Sequence, residues 1–159
     1  MDKKDLWTIY DENKEWIKFA DAKAIAFIAV IGVIFNILYS IKDYVYCADS
    51  LVIKGGYIIT FIFFSLSLFS SVFCLIPRTS KSDNNIIYYK SISEYYSNEK
   101  EYVDEIKIIE EDKFKEQISV QIYQLAKVAN KKYRIINWSL TLFCLGILTF
   151  LIFSILVII

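Results

Sequence analysis

The sequence predicts an all-α membrane protein with three transmembrane helices, a helical lobe, and a long stalk helix running into the third span. Three observations predict it. Three long apolar runs carry no internal charge. The chain is 56% apolar and only 23% charged, where soluble domains are about 45–50% apolar. And no glycine or proline falls between Arg78 and Leu145, which favours helix through the polar segment as well.

The elements follow in order. Residues 1–23 are polar with apolar positions at helical spacing (Leu6, Ile9, Tyr10, Trp16, Ile17, Ala20) and read as a cytoplasmic helix continuous with the first span. The first span is 24–41, interrupted only by Asn36 and Ser40. Residues 42–56 are expected as a short external loop. The second span is 57–76, with Gly55-Gly56 and Pro77 read as its joints. Residues 77–137 form a cytoplasmic helical lobe and stalk, and 138–159 form the third span. Each run can cross a hydrocarbon core of about 30 Å as a helix, because apolar residues favour insertion and a central charge, costing roughly 2.5–3.5 kcal/mol, is missing from all three. An apolar start this late, after about twenty mostly polar residues, does not fit a cleavable signal.

Within 77–137, Asp83 or Asn84 can cap a helix start, and Tyr89, Ile92 and Tyr96 then repeat at helical spacing. Glu110-Glu111-Asp112 marks a bend. Phe114, Ile118, Ile122, Leu125, Ala129 and Tyr133 form one apolar stripe. The stripe enters the third span without a break, a stalk of roughly 37 Å at 1.5 Å per residue. A lobe of about sixty residues buries little surface alone, so the N-terminal helix is expected to pack on it.

Lys and Arg set the orientation. Lys3, Lys4, Lys14, Lys18 and Lys23 precede the first span, and a long basic set from Arg78 to Arg134 separates the second from the third. Only Lys42 and Lys54 lie between the first two. The positive-inside rule then places the N-terminus in the cytoplasm of a multi-pass membrane protein.

Composition excludes several functions. The net charge is zero, so no broad attraction to nucleic acid is implied. Histidine is absent, which removes the commonest metal ligand and the side chain best suited to acid–base work near neutrality. Cys47, Cys74 and Cys144 show no metal spacing, and a structural disulfide is not expected. No cofactor, metal site or catalytic residue is expected, and the chain does not read as an enzyme. Glu99 to Asp112 is an acidic run, by default a solvated face.

Two charged helices feed directly into apolar runs: Trp16-Ile17 with Ala20-Asp21-Ala22-Lys23-Ala24, and Gln121-Ile122, Leu125, Ala129 and Lys132-Tyr133. Between them, Pro77 is followed by Ile86-Ile87-Tyr88-Tyr89-Lys90-Ser91-Ile92. In this order relative to three spans, these elements resemble the Pycsar membrane effector family (PycTM) from about Asn13 to Gly146. The resemblance implies a bacterial anti-phage effector. A partner uridylate or cytidylate cyclase makes cyclic CMP or cyclic UMP; the effector binds it and impairs the lipid bilayer of the inner membrane, arresting or killing the infected cell. A mononucleotide of about twenty heavy atoms supplies roughly 6 kcal/mol, close to the 5.5 or so needed to flip a two-state element. A homo-oligomer, which couples several copies, is therefore expected.

The ligand-binding candidates are Asp21, Lys23, Arg78, Tyr89, Gln121, Lys132 and Tyr133. The cations can hold a cyclic phosphate, or simply anchor span ends at the headgroups. The tyrosines can stack on a pyrimidine, or fill a helical core. Gln121 can read a base edge, or be solvated. Two other functions fit the same spans: an effector gated by a cyclic oligonucleotide (CBASS-type), and a ligand-independent scaffold or holin-like protein.

Overall fold

The computed structural model describes residues 2–76 and 85–158. Arg78, with the Pro77 joint and the Asp83 or Asn84 cap, lies outside the described residues. Among the described residues five helices follow in order: α1 Lys3–Cys47, α2 Leu51–Leu75, α3 Tyr89–Tyr95, α4 Glu99–Ile108 and α5 Glu111–Ile158. No strand occurs among the described residues. α1, α2 and α5 are each long and apolar enough to cross a membrane.

Both long helices continue through the change from polar to apolar sequence. In α1 the polar part is supported locally: Lys18 pairs with Glu15 at 2.7 Å, and the Asn13 amide donates to Ile9 O at 2.8 Å. α5 spans 48 residues, so the apolar stripe and the third apolar run share one helix, as the lack of breakers implies.

The residues expected as an external loop, 42–56, are mostly helix. α1 runs to Cys47 and α2 begins at Leu51, leaving 48–50 as the connection. The reason is that loss of apolarity ends a membrane crossing, not a helix; Lys42 and Asp43 continue the backbone ladder, and the Lys42 ammonium lies 3.8 Å from the Tyr39 ring centre. Gly55 and Gly56 are likewise inside α2 and form no joint. A Cβ on Gly56 would meet the Phe153 ring at 3.4 Å, an ordinary van der Waals contact.

Helix is also not continuous between 85 and 145. Asn98 takes an extended conformation and its side chain accepts from Glu101 N, a cap that starts α4. Ser97 N donates to the Glu101 carboxylate at 3.0 Å. A second break falls at Ile109 and Glu110, beside the expected bend. Competition from a capping side chain ended the helix where no glycine or proline did.

The chain divides into two compact units. The first is Met1–Lys18 with Pro77–Lys131, so the N-terminal segment does pack with the lobe. Leu6, Ile86, Ile118 and Ala129 are buried in it, and Trp7 lies against Phe114 with ring centres 6.5 Å apart. The non-helical stretch after residue 84 is held by side chains. Asn85 donates to Gln117 O at 3.1 Å, the side-chain Oε1 of Gln117 accepts from Ile86 N at 3.0 Å, and the Tyr102 hydroxyl donates to Ile86 O at 3.0 Å. A cavity of 250 Å³ is lined by Trp7, Ile86, Ile87, Ile92, Tyr102, Ile106 and Phe114.

The second unit is Phe19–Ile76 with Lys132–Ile159. Its core holds Ile31, Ile34, Leu38 and Phe64, with Phe143, Ile147 and Phe150 against them. Its outer surface is apolar: Val33, Phe69 and Trp138 are exposed. Only 17%, 28% and 17% of the most apolar stretches of α1, α2 and α5 is buried, a pattern that suits lipid and is costly in water.

Inside this unit, α2 and α5 run antiparallel along a seam of hydroxyls. Ser67 Oγ donates to Ser139 O at 2.9 Å, and Ser139 Oγ donates back to Ser67 O at 2.9 Å. Ser71 Oγ lies 2.7 Å from Ser139 Oγ. With Ser71 as donor, each hydroxyl hydrogen has one destination, which satisfies groups that lipid cannot. About two turns along α5, Gly146 admits the Phe64 ring, where a Cβ would approach to 3.0 Å.

Candidate functional site

Two residues from distant parts of the sequence meet in the second unit. Lys132 on α5 forms an ion pair with Asp21 on α1. The lysine side chain is 5% exposed and the carboxylate 33%. Small residues make the approach possible: Ala20 and Ala24, one position before and three after Asp21, are fully buried. Ala24 packs with Cys74 and Ile136, and the Cys74 thiol donates to Lys132 O at 3.8 Å. The pair therefore sits where α1, α2 and α5 converge.

A buried ammonium needs an anion beside it, since stripping one partner from such a pair costs about 3–5 kcal/mol. Asp21 supplies that anion. Two residues on, and on a different face of α1, the exposed Lys23 places its ammonium 4.5 Å from the Phe19 ring centre and 5.7 Å from that of Tyr133. The cluster offers two cations and two aromatic faces, with one carboxylate on the more buried cation.

Of the candidates named from sequence, the structure brings together Asp21, Lys23, Lys132 and Tyr133. Tyr89 and Gln121 belong to the other unit. Tyr89 is exposed and meets the Tyr88 ring edge-on at 5.1 Å; Gln121 is buried. Among the described residues no group of three His, Cys, Asp or Glu side chains could hold a metal. The sequence reading did not single out Ser67, Ser71 and Ser139. Their signal was present in part: Ser67, Ser71 and Cys74 recur at four and three residues, one face of α2.

The first unit has an electrostatic feature of its own. Tyr96 donates to the Glu105 carboxylate at 2.8 Å. Burial first, and then this bond, push its phenol well above the usual range.

Three helices able to span a bilayer, each showing an apolar exterior, and a polar helical unit carried between and before them define a helical membrane protein. Residues 5–159 match the family described as the Pycsar effector protein domain. The chain is also 33% identical over 133 residues to the Pycsar effector protein SaPycTM of Staphylococcus aureus, covering 83% of this chain and 81% of that one. It belongs to the Pycsar effector family, the membrane effectors of anti-phage defence. No solved structure matches it.

Proposed function

We propose that this protein is receptor and effector in one chain: it binds cyclic CMP or cyclic UMP made by a partner cyclase, and then impairs the inner membrane, stopping the infected cell. The observation that carries this reading is the family match over 5–159, which takes in all three membrane-competent helices together with the polar unit. The cluster of Lys132, Lys23, Tyr133 and Asp21 supports a ligand of this kind. Cations suit a cyclic phosphate, and aromatic faces suit a pyrimidine. The protein acts by changing state, without catalysing a reaction. Coupling between copies in a homo-oligomer makes the switch secure at the modest free energy a mononucleotide provides.

The orientation proposed has the N-terminus in the cytoplasm, supported by the Lys and Arg distribution. Cys47 ends α1 and is exposed. In intact spheroplasts it should react with a membrane-impermeant maleimide; protection until lysis would reverse the orientation.

The test of function is titration of the detergent-purified protein with cyclic UMP and cyclic CMP, against cyclic AMP and a cyclic dinucleotide. Selective binding of a pyrimidine cyclic mononucleotide is expected, together with toxicity in cells only when the cyclase is active. Binding of the dinucleotide alone would move the protein to another signalling system. Toxicity on expression without any nucleotide would make it a constitutive pore former.

A further inference from the structure

We infer that Asp21 is an internal stand-in for the ligand: its carboxylate holds, on Lys132, the place that a phosphodiester monoanion takes when the protein is switched. This rests on the nucleotide-binding reading above and names how that site is regulated.

Three observations carry it. Lys132 is buried and paired with Asp21, so an anion must accompany it in any stable state. A carboxylate and a phosphodiester each carry one negative charge, so exchanging them leaves the buried charge balance unaltered. Asp21 keeps a third of its side chain exposed while Lys132 keeps almost none, so the incoming anion meets the site on the side where the outgoing one can leave. The exchange has a mechanical result. The carboxylate is on α1 and the ammonium on α5, so an anion that takes Lys132 releases an ionic tie between those helices. The Cys74 contact to the Lys132 carbonyl, which belongs to α2 and α5, does not depend on it.

A phosphodiester can arrive from a cyclic nucleotide or from a lipid headgroup, and the experiment separates the two. The full chain, as wild type, Asp21→Asn and the double variant Asp21→Asn with Lys132→Met, is placed in phosphatidylcholine nanodiscs. Cyclic UMP and cyclic CMP are titrated by calorimetry. A second arm omits nucleotide, adds phosphatidylglycerol to the discs and follows thermal unfolding. We expect Asp21→Asn to bind the preferred nucleotide at least ten-fold more tightly than wild type, and the double variant to lose that gain. The double variant removes both charges and so serves as the folding control. An Asp21→Asn protein that folds only when the anion is present gives the same answer. Equal affinity in wild type and Asp21→Asn, a gain that survives in the double variant, or an Asp21→Asn protein unfolded under every condition while the double variant folds would each overturn the exchange and leave nucleotide binding by wild type intact. Stabilisation of Asp21→Asn by phosphatidylglycerol through Lys132, with no nucleotide bound by any variant, would keep the exchange and sink the nucleotide reading instead.

Discussion

The two units differ in what they turn outward. In the unit of residues 2–18 and 85–131, most charges are outside, and Leu6, Ile86 and Ile118 are inside together with the polar Asn85, Ser91 and Gln121. In the unit of 19–76 and 132–158, the exterior is apolar and the interior carries Ser67, Ser71, Ser139 and Lys132. Water drives the first arrangement by expelling apolar surface. In a bilayer that drive is missing between helices, because lipid tails are as apolar as leucine, and association rests on close packing and hydrogen bonds. The same residue types therefore have different weights in the two halves of one chain.

Substitutions can test this contrast, and the largest effect is expected at the ion pair. Asp21→Asn leaves the buried Lys132 ammonium without its partner and should lower the stability of the ligand-free protein by about 3–5 kcal/mol, read by thermal unfolding in nanodiscs. The next pair sharpens the comparison directly. Ile118 and Ile31 are both fully buried, one in each unit. Ile118→Ala should cost about 2–5 kcal/mol. Ile31→Ala should cost roughly half as much, because in the membrane only the packing part is lost. Equal losses would break the contrast.

Smaller effects follow at hydrogen bonds. Ser139→Ala deletes the hydroxyl shared by Ser67 and Ser71 and should cost about 1–2 kcal/mol, near the upper end for membrane hydrogen bonds; Thr141→Ala, whose hydroxyl bonds only to Asn137 O in its own helix, serves as the control. Asn98→Ala removes the α4 cap and should cost about 1 kcal/mol, seen as faster amide exchange at Glu101. The smallest effect is pH dependence in the water-facing unit. The Tyr96 phenol has a folded pKa raised above its ordinary 10.0. The stability it contributes is full below pH 10 and is lost as pH rises through the folded value. The extra loss of stability between pH 8 and pH 11 should shrink in Tyr96→Phe, followed by near-ultraviolet circular dichroism.

The sequence made the three crossing helices legible because a bilayer demands about twenty apolar residues in a row, a requirement that needs no partner to recognise. It did not show where the helices end. Apolarity reports the membrane boundary, whereas α1 continues past it to Cys47 and α2 starts before it at Leu51. The start of α4 was readable only as a cap, Asn98 with Glu101 three residues on, and not from glycine or proline. Asp21 and Lys132 were each visible as charges beside a span. Their pairing was not, since 111 residues separate them and a lysine at a span end ordinarily snorkels. The serines of the seam vanish in any average over an apolar run. Arg78 lies outside the described residues, and Tyr89 and Gln121 belong to the unit that does not hold the Lys132 cluster.

The hydroxyl seam limits how α2 can travel along α5. Small displacements would break all of the bonds that meet at Ser139 and leave its hydroxyl facing hydrocarbon. After a slip of one full turn, about 5.4 Å, Ser71 and Cys74 would arrive where Ser67 and Ser71 had been, because the three recur at four and three residues. Sliding along this line is thus a ratchet with two notches, and a gate built on it would open in a click rather than by degrees.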